Sequence, residues 1–197
     1  MLVAMPRMIA LVLALVVRTA TPLPACESDA QHFRWALKTR PAPASPYAIV
    51  DHLSVRQLVA WNVPAAARSD DTIDVRERGV YRLTGYVRLA KISPDDCDLH
   101  LQVSDTATGN GPQIIAEIPP TDVDLQRQVA RLVGGVSMRP HAFAGARALP
   151  LTITGYAFVD QEHATKIPSK RGHAHGTAAV ATLWEIHPVI GVELAGR

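Results

Sequence analysis

From residue 80 onward the chain alternates between apolar and polar positions. In VYRLTGYVRLAKIS (80–93), Tyr81, Leu83, Gly85, Val87 and Leu89 share one parity, and Arg82, Thr84, Tyr86 and Arg88 the other. That period of two predicts a long strand, half buried, with Gly85 suited to a bend or bulge. SPDDCD (93–98) reads as a turn, LHLQVSD (99–105) as a second alternating strand, TATGNGP (106–112) as another turn, and QIIAEIPP (113–120) as a third strand closed by two prolines. The period then changes. Thr121 is a candidate N-cap with Asp124 three residues on, Leu125, Val129 and Leu132 recur at helical spacing, and Gly134-Gly135 stops the run. LPLTITGYAFVD (149–160) and VATLWEIHPVIGVEL (180–194) complete the pattern as a fourth and a fifth strand, separated by a basic, His-rich loop.

The order strand, strand, strand, helix, strand, strand predicts a mainly β fold, an OB-fold-like five-stranded barrel (β-β-β-α-β-β). Another small antiparallel barrel or sandwich is the alternative. Upstream, HLSVRQLVAWNVP (52–64) supplies Ser54 as N-cap, Leu58 and Trp61 on one face and Pro64 as a stop, which predicts a short N-terminal helix with Trp61 in the core. RPAPASP (40–46) favours an extended linker or strap, and ARSDDTIDVRERG (67–79) reads as a solvated loop. The expected division is a signal peptide at 1–25, a strap, Pro-rich linker and short helix at 26–78, and the barrel domain at 79–197.

The N-terminus changes the compartment. A single Arg7 precedes an apolar run at 9–17 and small residues ending at Ala25, a run about half the ~20 residues that span a bilayer as a helix. Export to the periplasm or the extracellular space is therefore expected. The two cysteines, Cys26 and Cys97, then have two fates. They bridge in an oxidising compartment, or Cys26 carries a lipid at the loose lipobox LPAC and anchors the protein to a membrane. With 20 basic and 18 acidic side chains the formal charge is +2, too balanced for a dedicated polyanion binder.

The chemistry-bearing residues gather late in the chain. Asp160 and His163 follow the fourth strand, His173 and His175 lie in the loop after it, and Glu185 and His187 share one face of the fifth, opposite Trp184 and Ile186. Such a set suits three roles. It can pin the barrel end as a polar clasp. It can hold a divalent metal such as zinc through Asp160, His163 and His187. It can also carry general-base chemistry on His163 or His187, oriented by Glu185 or Asp160. Lys166, Lys170 and Arg171 offer contacts to an anionic ligand, an oligonucleotide or saccharide, as OB loops do. Cys97 and His100 have the spacing of a thiolate–imidazole pair, which oxidation of Cys97 on export would remove. No His-Glu-x-x-His, phosphate loop, nucleophile elbow or Cys-x-x-Cys occurs, so no familiar signature defines a reaction. The residues lead first to a small binding module, with a metal-assisted hydrolase, for instance a phosphodiesterase, and a structural envelope protein as the alternatives.

Five segments carry a resemblance: Gly-Tyr-Val…Leu-Ala-Lys at 85–91, Asp-x-His-Leu at 98–101, Ala-Glu-Ile-Pro at 116–119, Gly-x-x-Phe-x-Asp-x-x-His at 155–163 and Trp-Glu-Ile-His-Pro-Val at 184–189. Together they resemble a group of exported bacterial proteins of OB-like build, over roughly the last 120 residues. The resemblance implies one exported domain and transfers no activity. The layout is also that of the staphylococcal-nuclease-like fold, whose paired arginines and calcium-binding carboxylates are not reproduced here, so that likeness is topological.

Overall fold

Strands close on themselves in the computed structural model, which describes residues 33–45, 49–64, 73–93, 96–134, 144–164 and 180–196. In chain order the elements are α1 (Trp35–Lys38), β1 (Ile49–Ser54), α2 (Val55–Val59), a 3-10 turn (Val75–Arg78), β2 (Val80–Ile92), β3 (Leu99–Ser104), β4 (Gln113–Ile118), α3 (Val123–Leu132), β5 (Ala144–Val159), α4 (Gln161–Ala164) and β6 (Trp184–Leu194). The sheet order is β1-β2-β3-β4-β6-β5, and β5 pairs back onto β2. The result is the closed five-stranded, OB-fold-like barrel that the sequence pattern predicts, with β1 added in parallel beside the first half of β2.

Period two puts Leu83, Val87, Leu99, Leu101, Val103, Ile114, Ala116, Ile118, Ile153, Ala157, Trp184 and Ile186 into one core. Each fully buried Leu or Ile stabilises the fold by roughly 1.5–3 kcal/mol relative to exposure. Gly85 belongs to the same wall. A Cβ there would meet Val103 Cγ1 at 2.6 Å and the Ser104 carbonyl oxygen at 2.9 Å, so the glycine serves close approach between β2 and β3. The bulge expected at Gly85 lies further along, where the pairings with both β3 and β5 shift between Val87 and Leu89. The slip turns Leu89 out of the core and Ala90 and Ile92 into it.

Three other expectations are corrected. The N-cap of α3 is Asp122, whose side chain accepts a hydrogen bond from the Leu125 N–H at 3.0 Å, in place of Thr121. The stretch read as a solvated loop contains the 3-10 turn, which buries Glu77 completely. Strand β1 was not expected at all. Ser54 does cap α2, in a reciprocal box with Gln57. Leu58 is fully buried, and Trp61 packs against the core edge-on to Trp184 and Tyr81.

Helix α3 covers one barrel end. Leu125 and Val129 enter the core, and Gln126 Nε2 donates to the carbonyls of Cys97 and Ile118 at 3.0 and 2.8 Å. At 8% exposure Cys97 is buried in the β2–β3 turn, while Cys26 lies outside the described residues.

Candidate functional site

With Leu99, Ala116, Ile118, Val159, Trp184 and Ile186 pointing inward, alternation turns Asp98, His100, Glu117, Phe158, Asp160, Glu185 and His187 to the outer face of β3, β4, β6 and β5. Register then brings them together: His100 stands opposite Glu117, and Phe158 opposite Glu185. An outer barrel face would ordinarily be wet, yet Asp98, His100, Glu117, Asp160, Glu185 and His187 are all buried.

The strap contributes to that burial. Arg34, just before α1, forks onto Glu77 with Nη1–Oε1 2.7 Å and Nη2–Oε2 2.9 Å, and also donates to the Val159 carbonyl. The Glu77 carboxylate accepts in addition from the N–H groups of Val159 and Asp74, so this buried anion is well satisfied. Arg40 bonds the carbonyls of Glu77 and Ala157 and stacks over Tyr156. Between them Lys38 is 4% exposed, with Nζ 3.9 Å from Asp96 Oδ2.

Beneath the strap, His187 stands among three carboxylates. Asp98 Oδ2 is 3.1 Å from Nε2, Glu117 Oε2 is 3.1 Å from Nδ1, and Glu185 Oε2 is 3.9 Å from Nδ1. The other Glu117 oxygen accepts from His100 Nδ1 at 2.7 Å. The carboxylate oxygens near His187 lie off its N–H directions. Both of its ring nitrogens, both Asp98 oxygens and both Glu185 oxygens are thus buried without a hydrogen bond. One ligand atom each from Asp98, Glu117 and His187 lies within 4.8 Å of the others, close enough for the group to hold a metal ion.

Charge and burial oppose each other here. Burial pushes Asp98 up to about 6 against the pull of His187. It pushes Glu185 up to about 8, reinforced by the charges of Asp160 and Glu117. Burial would also raise Glu117, but the hydrogen bond from His100 and the nearby His187 ring hold it well below the usual carboxylate range. For His187 burial favours the neutral ring, yet Asp98, Glu117 and Glu185 keep its pKa well above the ordinary value. The face carries more carboxylates than permanent cations, an excess that protons or a bound cation could balance.

Of the residues singled out from sequence, Glu185 and His187 meet as expected. Asp160 is buried beside them, caps α4 by accepting from the Glu162 N–H, and acts on Glu185 through its charge, but it is not one of the three grouped ligands. The side chain of His163 lies outside the described residues, as do Lys166, Lys170, Arg171, His173 and His175. His100 is hydrogen-bonded to Glu117, not held in a thiolate pair with Cys97. Asp98 and Glu117 were missed as site residues. For Glu117 the signal is present in the sequence as an isolated acid in the otherwise apolar strand QIIAEI, with the outward-facing Ile115 beside it hinting that this face is covered, whereas Asp98 ends the Asp-rich turn SPDDCD and carries no such mark. A cleft of about 290 Å³ runs between the strap and β6, lined by Thr39, Arg40, Pro41, Pro119, Asp122 and Pro188 among others, and none of the clustered residues lines it.

Fold and site together define an OB-fold-like barrel with a buried Asp/Glu/His group on its outer face. No family model matches the chain, and no curated protein does. Among solved structures, Entamoeba histolytica asparaginyl-tRNA synthetase in complex with asparaginyl-adenylate is similar at 11% identity and TM-score 0.35, over 76% of this chain and 24% of that one. The chain therefore spans about a quarter of that protein's length, and a likeness of this size bears on neither ligand nor activity.

Proposed function

We propose that the chain is a small exported binding module whose outer barrel face holds a divalent metal such as zinc through Asp98, Glu117 and His187. The observation that carries this is the convergence of one ligand atom each from buried Asp98, Glu117 and His187 within 4.8 Å, with both Asp98 oxygens accepting no hydrogen bond. A buried acceptor without a donor calls for an ion or a water, and imidazole beside carboxylate is a ligand set suited to zinc. The burial of all three ligands supports a held ion over a metal-assisted hydrolase, which needs a coordination position that water and substrate can reach. Contacts from Lys166, Lys170 and Arg171 would add an anionic partner to the same module.

Elemental analysis of protein purified without chelator tests the proposal, together with melting of the stripped protein in zinc, manganese, calcium and magnesium. One retained equivalent, or a melting temperature raised by one of these ions and unmoved in Glu117→Gln, is expected. No retained metal and no shift with any ion would overturn it.

One observation favours a second role for the cluster. Asp98 and Glu117 flank the His187 ring at 3.1 Å on both nitrogens, so a protonated ring serves as a clasp between strands. For a clasp alone, chelator leaves the melting temperature unchanged while His187→Gln lowers it. Export adds a check of its own: intact mass with and without reductant separates a Cys26–Cys97 bridge, which gains two hydrogens, from an acylated Cys26.

A further inference from the structure

We infer that Lys38 is the resident counter-cation of the cluster, competing with a bound metal ion and so setting the affinity of the site; this rests on the proposal that the cluster takes a metal. Arg34 and Lys38 are four residues apart, at the N-cap and the last residue of α1 on the strap, and both are buried, but their partners differ. The Arg34 guanidinium is committed to Glu77 through two hydrogen bonds. Among the described residues the ion pair of Lys38 is the looser one to Asp96 at 3.9 Å. Its ammonium lies 5.7 Å from the centre of the Phe158 ring, which also stands 5.0 Å from the Arg34 guanidinium and 5.4 Å from the centre of the His187 ring.

Buried on the strap beside the acidic face, this one ammonium pairs loosely with Asp96 and also feels the charges of Glu117, Asp160 and Glu185. A divalent ion between Asp98, Glu117 and His187 would share Glu117 with Lys38 and stand beside Glu185. With little water between them, two cations on one acidic face repel each other far more strongly than they would in solution. Loading the metal therefore loosens Lys38, and the strap with it.

The full chain, its Lys38→Met variant and its Lys38→Arg variant are titrated with zinc against a chromogenic chelator. Lys38→Met is expected to bind zinc roughly tenfold more tightly or better, because one competing charge has gone, while losing stability in chelator. Lys38→Arg keeps the charge and stays near wild type. Unchanged or weaker zinc binding by Lys38→Met, with wild type still binding, overturns the inference and leaves the metal proposal standing. Absence of binding in all three, with manganese, calcium and magnesium as well as zinc, sinks both. If Lys38→Met does not fold in chelator, proteolysis of the wild-type chain decides: zinc should speed cleavage within residues 33–45, and an unchanged rate overturns the inference.

Discussion

Glu117 reaches His187 across the seam between β4 and β6, Oε2 to Nδ1 at 3.1 Å. That seam is the parallel one in the barrel, and its ladder has the single registered pair Ala116 and Ile186, extended by a bridge between Gln113 and Val180. Where backbone pairing is short, a buried charged contact between the two strands adds cross-linking that the ladder lacks. Through its second oxygen Glu117 also holds His100 on β3, so one carboxylate ties three strands.

Truncating it should therefore open the barrel at its weakest side. Glu117→Ala removes the anion from between two histidines and leaves His187 with fewer counter-charges in a dry site. Breaking a buried pair in this way costs about 3–5 kcal/mol. Urea unfolding of the metal-free protein measures it, and a loss under about 1 kcal/mol would mean that the seam does not depend on this residue.

Arg34 carries an equivalent load for the strap. Its fork onto Glu77, with both side chains at zero exposure, means that Arg34→Ala strands a buried carboxylate, again at about 3–5 kcal/mol. Arg34→Lys should recover only part of the loss, because a single ammonium cannot reproduce two parallel hydrogen bonds. Equal stabilities of the Lys variant and wild type would show that charge alone, without the fork, holds the strap.

The barrel was legible because period two repeats through β2, β3, β4, β5 and β6, and alternation correctly separated Trp184 and Ile186 from Glu185 and His187. The site was only half legible. Alternation marks Asp98 and Glu117 as outward-facing, and outward normally means solvated; their burial depends in part on a strap more than 50 residues away in sequence, a non-local contact that no strand pattern encodes. Strand β1 escaped for a related reason, since its Asp51 and His52 interrupt the apolar pattern and its parallel partner lies beyond a long connection. The position of the bulge, between Val87 and Leu89 and not at Gly85, reflects pairing with two neighbours at once. At the α3 cap two adjacent polar residues competed, and Asp122 is the one whose carboxylate reaches the Leu125 amide.

Gly85 gives a test of packing without any charge. A Cβ at this position would stand 2.6 Å from Val103 Cγ1 and 2.9 Å from the Ser104 carbonyl oxygen. The second neighbour is backbone and cannot rotate away, so β2 and β3 must separate. Gly85→Ala should lower stability by about 1–3 kcal/mol, the usual cost of overpacking. A thermal melt coincident with wild type would show that the two strands can shift apart freely.

Acid sensitivity should appear at the 3-10 turn, away from the cluster. Asp74 caps that turn and pairs with Arg76, its Oδ1 accepting from the Arg76 backbone N–H at 2.9 Å and from Nε at 2.8 Å. The side-chain hydrogen bond from Arg76 is the largest cause holding its carboxyl below the ordinary value, with burial working against it. Because the folded-state pKa is depressed, this contribution to stability is fully present above the unfolded value of about 3.9 and is lost as pH falls through the folded one. Asp74→Asn keeps a capping oxygen but not the charge. The stability gap between wild type and variant should therefore be constant above about pH 5 and close as the solution is acidified below pH 4. Urea unfolding at a series of pH values reads the gap directly, and one that does not narrow in acid would show that the Asp74 carboxylate gains nothing from its pairing with Arg76.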